Sequence, residues 1–137
     1  MKKLFLVLLI LSSLKVSGQN NTLLNSDFWK RQPSLEDVKN EIAQGNSASE
    51  ANRGNFDVVC MAINNRADNS IVRYLLTLEG NEVDKKTHDG RTYLHWAASA
   101  GNVEIVKYLI ELGWNPEFID EKGASPLVFG ASAGMAN

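Results

Sequence analysis

The sequence predicts an all-α solenoid of short helix-turn-helix units with short extended finger turns, on three observations. Ile71-Val72-Arg73-Tyr74-Leu75-Leu76 recurs as Ile105-Val106-Lys107-Tyr108-Leu109-Ile110, 34 positions later. Gly80 pairs with Gly113 and Gly90 with Gly123, each 33 apart. Within the recurring segments, apolar residues return at the three- and four-residue spacing of one helix face. Self-similarity at this period marks a stack of small units, each contacting chiefly its neighbours. Such an array works through its outer surface, so a binding face is sought before a catalytic pocket.

In chain order, residues 1–18 read as a cleaved secretory signal peptide, with a membrane anchor as the lesser alternative. Met1-Lys2-Lys3 is a basic start, residues 4–11 are apolar throughout, and Val16-Ser17-Gly18 supplies small residues before a cut at Gln19. The apolar run is too short to span a bilayer and no second one follows. No cysteine stands at the cut to carry a lipid. The expected product is exported, periplasmic or secreted, and free of the membrane after cleavage. Residues 19–33 form an N-terminal segment, read as a capping helix over 23–31 with Phe28 and Trp29. Ser34-Leu35-Glu36-Asp37 is a capping-box pattern opening a helix through Gln44, closed by Gly45. From there the array runs over 34–137: a degenerate unit to about 54, units 55–88 and 89–121, and a partial unit 122–137.

The unit that starts at Asp89 is the clearest. Asp89-Gly90 is a turn signal, because glycine tolerates positive φ. Thr92 can cap the helix that follows, whose Leu94, Ala97 and Ala98 share one face. Those small alanines allow a second helix to approach closely. Ala100-Gly101-Asn102 breaks the helix, and Ile105, Val106, Leu109, Ile110 and Leu112 form the apolar stripe of the next. Gly113 ends it at the C′ position. Residues 55–63 take the turn and first helix of the preceding unit and 71–78 its second, with extra residues within 64–69 and at Glu79.

This pattern resembles the ankyrin repeat. Thr92-Tyr93-Leu94-His95 stands where that family has Thr-Pro-Leu-His, and Ala97-Ala98, Gly101, Ile105-Val106, Leu109-Ile110 and Gly113 fall at other signature positions. Ser125-Pro126-Leu127 recovers the proline that Tyr93 replaces. The resemblance is strong over 81–134, fair over 55–80 and weak before that. Trp114-Asn115-Pro116 departs from it, standing where the family has Ala and a short polar segment; the indole is expected to pack under the neighbouring finger. The chain ends at Asn137 after the first helix of its last unit, which leaves an apolar flank bare. That end points to a fragment of a longer protein or to a covering molecule; without one, a monomer is expected.

Charge and chemistry narrow the function. Removing Lys2, Lys3 and Lys15 with the leader leaves 11 basic against 16 acidic residues, a net charge of −5. That balance gives no footprint for nucleic acid or anionic lipid. Cys60, the only cysteine, lies between Val59 and Met61 and reads as a small buried hydrophobe. Gly130-Ala131-Ser132-Ala133-Gly134 satisfies the hydrolase pattern G-x-S-x-G, but no histidine follows it, and in register it matches the helix end at Ala97–Gly101. A small hydrolase using Ser132 is therefore the minor rival. His88 lies in a turn beside Asp89. The resemblance gives His95 a hydrogen-bonding role within and between turns. No metal-ligand spacing or phosphate-cradling loop is present, so no metal or cofactor is implied. Asn20-Asn21-Thr22 is a glycosylation sequon, meaningful only in a eukaryotic source. Trp96, Tyr108 and Phe129 read as packing groups, and Tyr74 and Tyr108, at equivalent places, are expected to stack along one side. Phe118-Ile119 is either an exposed contact patch or packed against the adjacent finger.

The resemblance implies a non-catalytic module that binds another protein on its concave side, or an accessory repeat region of a longer exported protein. Position by position, the contact candidates it implies are His88, Asp89, Arg91, Ser99 and Ala100 in one unit. The next unit gives Glu121, Lys122, Ala124, Ser132 and Ala133, with Lys85 and Lys86 flanking the first finger. All are expected to face solvent, so changes at Asp89 and Arg91 should weaken binding without lowering stability.

Overall fold

A computed structural model describes residues 20–134; the expected leader, 1–18, lies outside the described residues. The regular elements among these are seven short helices and two 3-10 turns, at Thr22–Leu24 and His88–Gly90. The helices are α1 (Ser26–Lys30), α2 (Leu35–Ala43), α3 (Val58–Asn64), α4 (Asn69–Leu75), α5 (Tyr93–Ser99), α6 (Val103–Glu111) and α7 (Pro126–Gly134). Alone, helices this short are marginal in water, so packing must hold them. Helices α1, α3, α5 and α7 pack in sequence as one layer, and α2, α4 and α6 as the other. The expected solenoid is present. No helix among the described residues is long and apolar enough to cross a membrane.

Side-chain caps decide where the helices start. Ser34 and Asp37 form the expected capping box on α2. The helix expected over 23–31 is divided, because Asn21 caps the first 3-10 turn and Asn25 caps α1 separately. Helix α4 begins at Asn69, two residues before the expected start, because the Asp68 carboxylate accepts from the Ser70 N–H at 2.8 Å. It stops at Leu75, where the Asn81 amide donates to the Leu75 carbonyl at 2.9 Å and the Thr77 hydroxyl to that of Tyr74 at 2.6 Å. Gly113 takes the positive φ (98°) that ends α6.

The interior joins successive units by two kinds of contact. The first is apolar: Val58, Val59, Cys60, Ala62, Ile71, Val72, Leu75, Ala97, Ile105 and Leu109 have no exposed surface. Burial pushes the Cys60 thiol well above its ordinary value, and the nearby Asp57 carboxylate adds to the shift, so it stays a neutral space-filling group. Trp114 is buried as expected, its ring 4.9 Å from that of Tyr93. The Ala98 contact falls to α7: a Cβ on Gly130 would lie 3.0 Å from the Ala98 carbonyl carbon.

The second kind is polar and buried. Asp57 is 1% exposed and caps α3 by accepting from the Cys60 N–H at 3.0 Å. Its other oxygen accepts from the Tyr93 hydroxyl at 2.5 Å and pairs with the Lys85 ammonium at 2.8 Å. Lys85 also donates to the Ser49 carbonyl at 2.9 Å, and the Asn81 amide to that of Ala48 at 3.0 Å. Three consecutive units therefore meet at one carboxylate. Burial and Asp57 raise the Tyr93 hydroxyl far above its usual range, so it remains a donor.

The second helices align as the repeat demands. Asn102 donates to Asn69 at 2.8 Å and Arg73 pairs with Glu104 at 2.9 Å. Cations intervene along the expected tyrosine side: Lys39 lies 5.2 Å over the Tyr74 ring and Arg73 4.3 Å over that of Tyr108. The two ends of the stack differ. Ile71 and Ile105, like Leu75 and Leu109, are wholly buried, whereas the register places Asp37 and Glu41 at the same positions of α2. The N-terminal end thus carries the polar outer face of a capping unit.

Two consequences are measurable. Tyr93→Phe leaves the buried Asp57 oxygen one donor short and should cost about 1–3 kcal/mol in urea denaturation. His95 tests the second. Its Nε2–H donates to the Ala124 carbonyl at 3.0 Å, while Nδ1 accepts from the Thr92 N–H at 3.1 Å. Acceptance at Nδ1 requires the neutral ring, and burial holds its pKa below the ordinary histidine value although the bond to the Ala124 carbonyl favours the charged form. A lowered folded pKa means the stabilisation is complete above the unfolded value of about 6.5 and is lost as pH falls below it. The urea midpoint should drop between about pH 7.5 and 5.5, and His95→Gln, which can keep the capping geometry, should flatten that drop.

Candidate functional site

The finger edge is built from three turns closed by one recurring bond. The Asn52 N–H donates to Phe56 O at 2.9 Å, Thr87 N–H to Arg91 O at 2.8 Å, and Asp120 N–H to Ala124 O at 2.9 Å. In the middle finger Asp89 (φ 55°) and Gly90 (φ 67°) are both left-handed, the pair of conformations that an Asp-Gly turn favours. A Cβ on Gly90 would stand 2.8 Å from Glu121 Cγ, so the next finger packs directly on it.

The fingers are fastened to one another. His88 Nδ1–H donates to the Gly54 carbonyl at 2.8 Å, and its ring stacks on Phe56 at 4.5 Å. The Glu121 N–H donates to the Asp89 carbonyl at 2.9 Å. Trp96 Nε1–H reaches Thr87 Oγ1 at 2.8 Å, so α5 holds the base of the middle finger. These bonds link the three tips into one row.

The sequence-derived residues divide by surroundings. Lys86, Glu121 and Lys122 are exposed, and His88 and Asp89 are half-exposed at the middle tip. Ser99 and Ala100 end α5 half-buried, and the Ala100 carbonyl accepts from the Arg66 guanidinium at 3.1 Å. Ala124 is half-buried with both backbone groups bonded, its N–H to Asp120 Oδ1 at 2.8 Å.

Two of the expected solvent-facing side chains are internal instead. Lys85 is the cation of the buried Asp57 pair. The Arg91 side chain is 12% exposed, pairs with Asp120 at 3.0 Å and Asp89 at 3.1 Å, and lies 4.1 Å over the Phe129 ring. Asp120 has no exposed side-chain surface. Although burial opposes it, the Ala124 and Lys122 amides together with Arg91 hold its carboxyl below the usual range. Removing Arg91 would strip a buried anion of its cation, so the expectation that changes at Arg91 spare stability is corrected.

Ser132 and Ala133 lie within α7. The Ser132 hydroxyl is exposed and donates to the Val128 carbonyl at 3.0 Å, so the G-x-S-x-G segment sits inside a helix rather than on the strand-to-helix turn that a nucleophile needs. The Phe118-Ile119 pair separates: Phe118 is half-buried, beneath Lys86 at 5.6 Å and edge-on to His95 at 6.4 Å, whereas Ile119 is 56% exposed.

The first finger was missed. Arg53 and Asn55 are exposed at its tip, and Asn55 adopts the left-handed φ (59°) that Asp89 has 34 residues later. No Asp-Gly pair marks that tip, but Gly54-Asn55 stands in exact register with His88-Asp89 and was the available signal.

Comparison with known proteins agrees with this architecture. A family model described as ankyrin repeats, in three copies, matches residues 58–137, more than half of the chain. The 26S proteasome non-ATPase regulatory subunit 10 of Dictyostelium discoideum is 38% identical over 64 residues, 46% of this chain and 28% of that protein. Its rat counterpart is 38% identical over 72 residues, 53% of this chain and 30% of its own. Palmitoyltransferase AKR1 of Lachancea kluyveri is 45% identical over 65 residues, 45% of this chain and 8% of that enzyme. The chain thus aligns with less than a third of the length of each. With three finger turns on one recurring bond, paired helices in register and a family match over most of the array, the chain belongs to the ankyrin repeat family.

Proposed function

We propose that the chain is an exported, non-catalytic module that binds another protein through its concave, finger-bearing side. The row of mutually fastened tips carries this reading. Binding to a preformed surface costs less conformational entropy than ordering a loose one. The tips present charges of both signs, Arg53 on the first finger, Asp89 on the middle one and Glu121 and Lys122 on the third, together with the half-exposed His88 ring and the exposed Ile119. That mixture suits a polar protein surface with a small apolar spot, while a body of net charge −5 after leader removal does not suit a polyanion.

The relatives support the same role. Two are named as non-ATPase regulatory subunits of a larger assembly, and the palmitoyltransferase shares only 8% of its length with this chain, too little to carry its activity over. Export rests on the basic start, apolar run and small-residue site before Gln19.

Both parts are testable. With a partner captured from the exported fraction, Lys122→Glu and Glu121→Lys should each weaken binding about tenfold, a loss of about 1.4 kcal/mol, with the melting temperature unchanged. Asp89→Asn, which keeps a residue tolerant of positive φ, should act likewise. Arg91→Ala should instead lower the melting temperature. Full binding by all three tip variants would move the interface elsewhere. N-terminal sequencing of the exported product should read from Gln19; a product beginning at Met1 would contradict cleavage.

A further inference from the structure

One imidazole ties the third finger to α5. His95 lies in the first turn of that helix and is wholly buried. One edge of its ring serves the start of α5: Nδ1 accepts from the Thr92 N–H at 3.1 Å and lies 3.1 Å from the Thr92 hydroxyl. The opposite edge serves the finger, where Nε2–H donates to the Ala124 carbonyl at 3.0 Å. That carbonyl also closes the finger, accepting from the Asp120 N–H at 2.9 Å. The ring is rigid, so it cannot leave one partner without pulling on the other.

Acid acts on this tie directly. A proton on Nδ1 sets two donors against each other, because the Thr92 backbone N–H is fixed. The Thr92 hydroxyl can turn to accept that proton, but tilting the ring towards it swings Nε2 away from Ala124. Few charges reach the ring. Asp120, whose carboxyl lies below its usual range despite burial and so keeps its charge in mild acid, favours the added proton, and Arg91 opposes it. Helix α7 turns only the Phe129 ring towards it, and the third finger turns the Phe118 ring with Lys86 beyond. Helices α3 and α6 add no charge that shifts it. Burial outweighs the Ala124 bond and the attraction of Asp120, so the closed ring resists protonation.

We propose that mild acid, acting through His95, loosens the third finger from α5 and so weakens partner binding at the tip that Glu121 and Lys122 occupy. The regulation rests on the finger-face reading above; the loosening itself does not. When the finger opens, the ring meets water and regains the ordinary histidine value of about 6.5. Between that value and the lower one of the closed ring, each unit fall in pH favours the open form about tenfold. Above about pH 7.5 the ring is neutral in both forms and the finger stays shut. The remaining ties do not change over this range. The bond from the Glu121 N–H to the Asp89 carbonyl, at 2.9 Å, involves no titrating group, and Asp120 keeps its charge for Arg91 at 3.0 Å. The finger therefore parts from the helix while still joined to its neighbour.

Amide hydrogen exchange on the intact chain tests the loosening, with rates corrected for the intrinsic effect of pH. The Glu121, Lys122 and Ala124 amides should be less protected than the Met61 amide of α3, because they open locally. Their protection should fall about tenfold between about pH 7.5 and 5.5, and His95→Gln should abolish that fall. Protection equal to that of Met61, meaning that the finger opens only with the whole fold, would overturn the proposal, as would protection indifferent to pH. The wild-type measurement decides this even where the variant folds poorly. Affinity for the captured partner should drop by about the same factor over this range in the wild type and hold steady in His95→Gln. Exchange that quickens in acid while affinity stays constant would overturn the regulation and the finger-face reading together, and leave the release at His95 standing.

Discussion

A carboxylate removed from water dictates much of this structure. Asp57 is bonded on both oxygens, to the helix it caps, to the Tyr93 hydroxyl and to the Lys85 ammonium. An isolated charge at that depth would cost several kcal/mol, so each partner must be held in place. Tyr93 is supplied by the following unit, and Lys85 and Asn81 anchor the same cluster to the Ser49 and Ala48 carbonyls of the preceding one. The requirement that these groups converge sets the separation of three units more sharply than apolar contact can, because hydrogen bonds are directional. It also gives a reason for tyrosine where the family has proline: proline could not reach the carboxylate.

A second polar system works one unit further on. His95 takes the Thr92 N–H on one nitrogen and gives its other proton to Ala124, while Asp120 collects the Lys122 and Ala124 amides and Arg91. The two systems share a logic. Irregular finger backbone leaves amides and carbonyls unpaired, and side chains from the neighbouring unit satisfy them. No buried side-chain nitrogen or oxygen among the described residues lacks a partner. Finger positions that look like free surface in a repeat alignment, Lys85 and Arg91 above all, are therefore occupied in holding the fingers together, and the residues left for recognition are fewer and nearer the tips.

The two ends of the described residues differ in how they meet one problem. Every unit exposes a flank unless a neighbour covers it. At the N-terminal end the chain substitutes carboxylates for the buried isoleucine and leucine of the inner repeats and adds α1 with the adjoining 3-10 turn, burying Leu23, Phe28 and Trp29. At the last described residues, Ile110 of α6 and Leu127 and Val128 of α7 are exposed.

The period, the pairing of helices, the capping of α2 and the glycine stops were all legible in the sequence, because they depend on spacing and on residue types with strong local preferences. So was the burial of Cys60 and Trp114. The division of the first helix at Asn25 and the early start of α4 at Asp68 depended on which of several eligible caps was used, and packing made that choice. The first finger tip escaped notice because Asn55 reaches the left-handed region without the Asp-Gly signal. Above all, sequence position could not show that Lys85 and Arg91 turn inward: their partners, Asp57 and Asp120, lie 28 and 29 residues away. Repetition along the chain is local and determined the fold; the assignment of each charge to interior or surface is a long-range matter, and only the assembled stack decided it.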